Sequence, residues 1–168
     1  MRALLAALAL AAAPSVPDGV LGTYRVQATI RTTDIPFASR LEARGDVVLR
    51  AGDAPGAVLF RLASNGKSCE LAGKIGKDGA IAFASGQTCA IPLDDPLVAP
   101  GRVDATLRSG AGHVGEGRIS LELEVALAGI VHGPSARLGR TNSLPIGGKG
   151  WVQAEGRRDN SRAAAAQP

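Results

Sequence analysis

The amino-acid sequence predicts an all-β protein, a single antiparallel domain of about eight or nine short strands. Three observations support this fold class. Apolar and polar residues alternate with a period of two in several segments, turn-forming residues separate those segments, and the 22 glycines argue against long helices. Because most connections are short enough for consecutive hairpins, a meander barrel or barrel-like sheet is favoured over a jelly-roll or Greek-key sandwich.

The first half of the chain carries the clearest strand pattern. Apolar and polar residues alternate from Gly22 to Thr33, and Pro36 ends the run because proline cannot donate to a strand ladder. Asn65-Gly66 and Asp78-Gly79 predict tight hairpin turns, since both pairs readily adopt positive φ. Further strands are predicted at residues 41–50, 57–62, 67–75, 80–84 and 87–91.

The second half predicts one long hairpin and a final strand. Residues 102–109 and 116–128 alternate strongly enough to form the two arms of the hairpin. The glycine-rich segment Ser109–Gly117 is expected to be its flexible tip. The last strand is expected at residues 149–156, around Trp151.

Charge pairing predicts a register for this long hairpin. Arg108 is expected to lie opposite Glu116, and Arg102 opposite Glu122. This arrangement is favoured because like charges directly opposite each other destabilise a sheet.

Residues 1–13 have the features of a secretory signal. Arg2 gives a positive start, an apolar stretch follows, and Ala11 to Ala13 supply small residues for a peptidase. The stretch is too short to span a bilayer core, which needs about 20 apolar residues. We therefore expect a periplasmic or secreted protein, with an all-β domain at 20–157 and a disordered tail at 158–168. The Ala-, Gly- and Arg-rich composition is typical of a GC-rich bacterial genome.

Cys69 and Cys89 are the chain's two cysteines. In an oxidising compartment a lone pair in one small domain predicts an intrachain disulfide, and closing a loop of this length adds about 3 kcal/mol of stability. Two free thiols or a metal pair are the alternatives. A metal site is disfavoured because neither His113 nor His132 lies at a recognisable spacing from the cysteines.

Charge and aromatic content argue against two classes of protein, those that bind nucleic acid and those that form a membrane-spanning barrel. The net charge is +4, the basic residues are scattered and aromatics make up 3% of the chain, so neither the basic stripe nor the stacking platform of a nucleic-acid-binding protein is present. A membrane-spanning barrel needs aromatic girdles at both interfaces, whereas this chain has one Trp, one Tyr and three Phe. No transmembrane segment is expected in the mature chain.

The two histidines are weak candidates for chemistry. His113 lies in the predicted glycine-rich tip, which does not hold it rigidly against a partner acid such as Glu116. His132 has a similar setting, next to Gly133. Both are interpreted as surface or structural residues.

The carboxylate pairs are equally weak candidates. Asp94 and Asp95 offer too few oxygens for a calcium site and are interpreted as turn residues. Glu122 and Glu124 lie two residues apart on one strand face, as paired carboxylates of a glycosidase do, but charged outer faces of strands look the same. Nucleophile-elbow, phosphate-loop and dinucleotide motifs are absent from the sequence. No catalytic, cofactor-binding or metal-binding residue is therefore predicted.

These observations favour a binding module without chemistry of its own over an enzyme. If the sheet closes into a barrel, its inward side chains line an apolar pocket for a small molecule or fill a solid core. The candidate lining residues are Tyr24, Val26, Ile30, Leu71, Phe83, Leu121, Leu123 and Val125. The alternatives are a structural or interaction protein of the cell envelope and, less favoured, a small hydrolase that uses Glu122 or His113.

Overall fold

The computed structural model describes residues 16–17, 19–33, 40–64, 66–93, 99–132 and 143–160, and in this part of the chain all regular structure is β-strand. The all-β class predicted from the sequence is confirmed. The strands are β1 (Gly22–Thr33), β2 (Arg40–Ala51), β3 (Ala57–Ser64), β4 (Lys67–Ile75), β5 (Ala80–Phe83), β6 (Thr88–Leu93), β7 (Ala99–Gly115), β8 (Arg118–His132) and β9 (Ser143–Arg158).

The strands form one antiparallel sheet in the order β5-β4-β3-β2-β1-β9-β8-β7-β6, and an additional pairing of β5 with β7 closes it. The result is an eight-stranded up-and-down barrel plus one extra strand, β6, which continues along β7 where β5 stops. The prediction of a meander barrel over a sandwich is confirmed.

Alternation along each strand decides which side chains fill the barrel. In β1, Tyr24 is buried and Val26 half-buried, whereas Arg25 and Gln27 are exposed. All eight barrel strands contribute to one cluster of buried apolar side chains, and no polar or charged residue is buried among the described residues. Burial of these inward residues is the main stabilising term of the fold.

The two ends of the barrel are built differently. At the first end, which we call the closed end, β1 starts and short turns join β2 to β3, β4 to β5 and β7 to β8. At the second end, which we call the loop end, β1 stops and β2 begins. Residues 34–39, 94–98 and 133–142 lie outside the described residues, and Asp94 and Asp95 are among them.

The predicted flexible tip and register of the long hairpin are wrong. The turn consists only of Glu116 (φ 50°) and Gly117 (φ 71°), and the preceding glycines lie inside β7. Close packing explains these glycines, because a Cβ on Gly110 would come within 2.9 Å of the side chains of Phe83 and Leu123.

Because the turn is shorter than predicted, neither of the two predicted charge pairs of this hairpin forms. Arg102 lies opposite Ile130 and not Glu122, and Glu122 lies opposite Ala111. Arg108 falls at a register shift between β7 and β8, and Glu116 is in the turn. The inward apolar residues set the register, whereas the exposed charges do not.

The predicted terminal segments fall mainly outside the described residues. The signal at 1–13 lies there, and so do residues 161–168 of the predicted tail. β9 continues through Arg158, the residue at which the tail was expected to begin. Its side chain explains the difference, since it donates hydrogen bonds to the carbonyl oxygens of Gly19 and Leu21.

Candidate functional site

A segment that precedes β1 covers the closed end. Val20 is 7% exposed, and the Tyr24 hydroxyl donates a hydrogen bond of 2.7 Å to its carbonyl oxygen. Arg158 binds the same segment from β9. Burial raises the pKa of the Tyr24 phenol above its ordinary value, and the positive charge of Arg158 opposes this shift in part.

The interior next to this cover is densely packed. Phe60 is 0% exposed, and its ring centroid lies 4.7 Å from that of Phe83. Leu49 and Ile75 are each 2% exposed in the same cluster. The side chains of the closed end therefore fill its interior.

The predicted lining residues are all on the inner face, at different depths. Tyr24, Leu71, Leu121 and Leu123 are buried members of the core cluster. The less buried ones are Val26, Phe83 and Val125, which pack against that cluster, and Ile30, which is half-buried farther along β1.

The inner face at the loop end leaves apolar surface accessible. Leu41 lies opposite Ile30, on the face that also carries Val47, and is 54% exposed. Across the barrel, Ile91 lies opposite Val103 on the inner face and is 39% exposed. Leu62 is half-buried between these positions. This end therefore presents aliphatic side chains to solvent from the inside of the sheet.

The predicted disulfide is present and joins β4 to β6. Cys69 and Cys89 are bonded, with their Cα atoms 5.6 Å apart. The bond is consistent with an oxidising, extracytoplasmic environment. Because β6 has a hydrogen-bonded ladder only with β7 among the described strands, the disulfide holds its second edge to the barrel.

A side chain replaces the missing ladder between these two strands. The carboxamide of Gln87 accepts a hydrogen bond of 2.6 Å from the amide of Ala72 and donates one of 2.8 Å to its carbonyl oxygen. A backbone strand would make the same two bonds. We call this junction of Gln87, Cys69 and Cys89 the β4–β6 seam.

The two predicted histidine positions are separate in the fold. His113 lies on β7 near the closed end, and its Nε2 is 2.9 Å from the carbonyl oxygen of Asp78. His132 is the last residue of β8, at the loop end. His113 is thus fixed on a strand by the β4–β5 turn and has no carboxylate partner in the described part of the chain.

The predicted carboxylate pair lies on the outer face of the barrel, in the middle of β8. Glu122 is opposite Gln153 of β9, and Glu124 is opposite Trp151. Three clefts of about 1230, 800 and 560 Å³ lie along this face. The first two share Thr29, Glu122 and Gln153, and the last two share Glu124. The three clefts therefore adjoin one another, and we call them together the outer groove.

A metal-binding cluster and a membrane-spanning helix are both absent from the described residues. They contain no group of three or more His, Cys, Asp or Glu side chains placed to hold a metal ion. Nor does a helix long and apolar enough to cross a membrane occur in the ranges that the structure describes.

No protein-family model matches this chain, and a comparison with curated proteins finds no relative. Function is therefore inferred from the geometry of the inner face and of the outer groove. Sequence reasoning identified the carboxylates of the groove but missed Trp151 beside them. The signal was available, since Trp151 has the same strand parity as the polar residues Gln153 and Glu155.

Proposed function

We propose that this protein is an exported binding module that holds a small apolar molecule at the inner face of the loop end. One observation carries the proposal: inward apolar side chains are covered at the closed end, whereas at the loop end Leu41 and Ile91 are exposed beside a small buried cluster of Val103 and Ile146. Phe60 is 0% exposed, whereas Leu41 is 54% exposed. Exposed apolar surface on a concave inner face is the usual setting of a hydrophobic ligand.

The size of the barrel defines the class of ligand. An eight-stranded barrel is wide enough for its own side chains or for one small ligand, and not for a second protein. The residues that face this space are aliphatic, and we expect the ligand to contribute a hydrocarbon chain or ring with few polar atoms. We place Ile30, Leu41 and Ile91 at the contact surface, and Val125 of the predicted lining set deeper inside.

The location belongs to the same proposal. The Cys69–Cys89 disulfide supports release into an oxidising compartment, because glutathione and thioredoxin keep cytosolic thiols reduced. The apolar segment at 1–13 has the composition of an export signal. We therefore propose a periplasmic or secreted protein of the bacterial envelope.

A fluorescent apolar probe tests the proposal. We expect an anilinonaphthalene dye to bind the oxidised protein saturably, with one dye molecule per chain. Leu41→Asp and Ile91→Asp place a charge on the inner face and are expected to weaken binding by about tenfold each, because a carboxylate disfavours apolar contact.

Ile130→Asp is the matched control. Ile130 is 51% exposed, close to the value for Leu41, but it lies on the outer face of β8 opposite Arg102. This variant is expected to bind the dye as the wild type does. Absence of saturable binding, or an equal loss in Ile130→Asp and Leu41→Asp, would overturn the proposal.

A further inference from the structure

The outer groove has an aromatic platform at its centre. Trp151 is the chain's one tryptophan and is 39% exposed, although it belongs to a strand whose apolar residues otherwise face inward. Its cross-strand neighbours are Arg31 on β1 and Glu124 on β8. The residues directly opposite the indole are therefore charged and not apolar, and its exposed surface forms part of the wall of the second cleft.

Polar groups surround this indole on three strands. Gln153 is the next outward residue of β9, and it lies between Thr29 of β1 and Glu122 of β8. Neither the side-chain carboxylate of Glu122 nor the side-chain carboxamide of Gln153 makes a hydrogen bond within the described part of the chain. Thr29, Glu122 and Gln153 line the same cleft as Trp151, so these polar groups border the cleft that the indole also borders.

The groove stays wide on the side of β7. Beyond Glu122 and Glu124, the outward residues of β7 are Ala111 and Ser109. These small side chains leave room next to the carboxylates. The Ser109 hydroxyl lies 3.4 Å from Glu124 and adds a further hydrogen-bonding group to this wall.

The other wall of the groove carries an ionised carboxylate. Glu42 accepts hydrogen bonds from Arg40 and from Thr29, and these two bonds lower its pKa, that of Arg40 having the larger effect. Glu42 is therefore charged at neutral pH.

Two classes of ligand fit this chemistry poorly. An extended peptide that adds a strand needs a free sheet edge, whereas β1, β9 and β8 have hydrogen-bonded neighbours on both sides. A polyanion such as a nucleic acid prefers a surface of one positive sign, whereas the groove carries both signs, with carboxylates of Glu42, Glu122 and Glu124 interspersed among its basic residues. Those basic residues are Arg25, Arg31, Arg44, Arg108, Arg118, Lys149 and Arg157.

We propose that the outer groove binds a neutral, linear oligosaccharide, with a sugar ring stacked on Trp151. A pyranose ring presents a face of C–H groups, which complements the electron-rich face of an indole. Its paired hydroxyl groups match the two oxygens of a carboxylate and the planar donors of Arg31 and Gln153. The three adjoining clefts, of about 1230, 800 and 560 Å³, give room for a chain of several sugar units.

The single tryptophan provides a direct measurement. We expect cello-, chito- or malto-oligosaccharides of increasing length to change the fluorescence of the full chain saturably, with affinity that rises with length. Trp151→Ala, followed by calorimetry, is expected to weaken binding by about tenfold or more, and Trp151→Phe to weaken it less. Glu122→Gln keeps the shape but removes the charge and is expected to cost about fivefold.

Matched variants make the result specific. Ile130→Ala removes an exposed apolar side chain from the same outer face, and Glu70→Gln removes an exposed carboxylate from β4, outside the groove. Both are expected to bind the oligosaccharide unchanged, and so is Leu41→Asp from the inner face. Circular dichroism and thermal unfolding show whether each variant keeps the fold.

Three outcomes would overturn this proposal. These are the absence of binding by any neutral oligosaccharide, binding of sulfated glycans alone, and unchanged affinity in folded Trp151→Ala. Each is independent of dye binding at the loop end, because the two sites lie on opposite faces of the sheet.

Discussion

The closed end and the loop end of this barrel use the same alternation of residues with different results. At the closed end the inward residues Leu49, Phe60 and Ile75 are 0 to 2% exposed, and a chain segment covers them. At the loop end the inward residues Leu41 and Ile91 are 54% and 39% exposed, although Val103 and Ile146 form a small buried cluster there. Strand periodicity alone therefore does not determine burial, since inward positions of the same sheet differ widely in exposure.

The residues that stabilise the fold and the residues proposed to bind a ligand lie at different ends of the barrel. Buried apolar surface stabilises a fold by about 25 cal/mol per Å², so the buried residues Leu49, Phe60 and Ile75 stabilise it more than the exposed residues Leu41 and Ile91 do. Exposed aliphatic residues contribute little to folding and are available for binding. The closed end is thus the structural base on which the proposed apolar site of the loop end is built.

The largest expected effect is on core packing at the closed end. Phe60→Ala leaves a cavity beside Phe83 and is expected to lower the free energy of unfolding by about 3–5 kcal/mol. Leu41→Ala removes an inward side chain of the loop end and is expected to change it by less than about 0.5 kcal/mol. Urea denaturation of both variants measures the difference.

Two results would contradict this contrast between the ends. A loss of several kcal/mol in Leu41→Ala would mean that this residue is packed in solution, and the loop end would then be part of the core. A small loss in Phe60→Ala would mean that the closed end is loosely packed.

The second effect concerns the β4–β6 seam, which lies between the two ends. Replacement of both Cys69 and Cys89 by Ala is expected to lower the free energy of unfolding by about 3 kcal/mol, because the disulfide closes a loop over a separation of 20 residues. Hydrogen exchange is expected to accelerate in β6, whose remaining ladder is with β7, and to stay unchanged at Val58 in β3.

Reduction of the wild type is the control for this variant, since it breaks the same bond without changing the sequence. Equal acceleration of exchange at β6 and at Val58 would show that the disulfide stabilises the whole barrel and not the seam. Retention of the Gln87 bonds to Ala72 is expected to keep β4 and β6 adjacent after reduction.

Much of the fold was predictable because inward residues impose a strict period. β1 and β4 have the predicted bounds, and the barrel order follows from consecutive hairpins. The long hairpin was not predictable in detail. Gly110 and Gly112 indicate a flexible loop in the sequence, but in the folded chain they make room for Phe83, Leu123 and the backbone of β8. Such close approaches depend on neighbours that are distant in sequence.

The sites were predictable to a smaller degree. The pairing of Cys69 with Cys89 follows from the cysteine count, whereas the role of Gln87 beside it depends on three-dimensional proximity alone. Glu122 and Glu124 could be assigned to an outer face, but their alignment with Trp151 required the β8–β9 register. The difference in exposure between Tyr24 and Leu41 could not be predicted, since both occupy inward positions.

The smallest expected effect tests whether the closed end excludes water. The pKa of Tyr24 is raised by burial, so both folded and unfolded chains keep this proton at neutral pH. Above about pH 10 the unfolded chain loses the proton first, and the stability contributed by Tyr24 is lost as pH rises through the raised pKa of the folded state. Tyr24→Phe removes this dependence and costs about 1 kcal/mol at neutral pH, because Val20 loses its hydrogen bond.

Two measurements check this prediction. The unfolding free energy of Tyr24→Phe is subtracted from that of the wild type at each pH, which removes the contribution of the other titrating groups because both proteins share them. Near-ultraviolet absorbance of the chain's one tyrosine follows its ionisation directly. Tyrosinate formation at the ordinary pKa in the folded protein would show that water reaches Tyr24, and the distinction between the two ends would then fail.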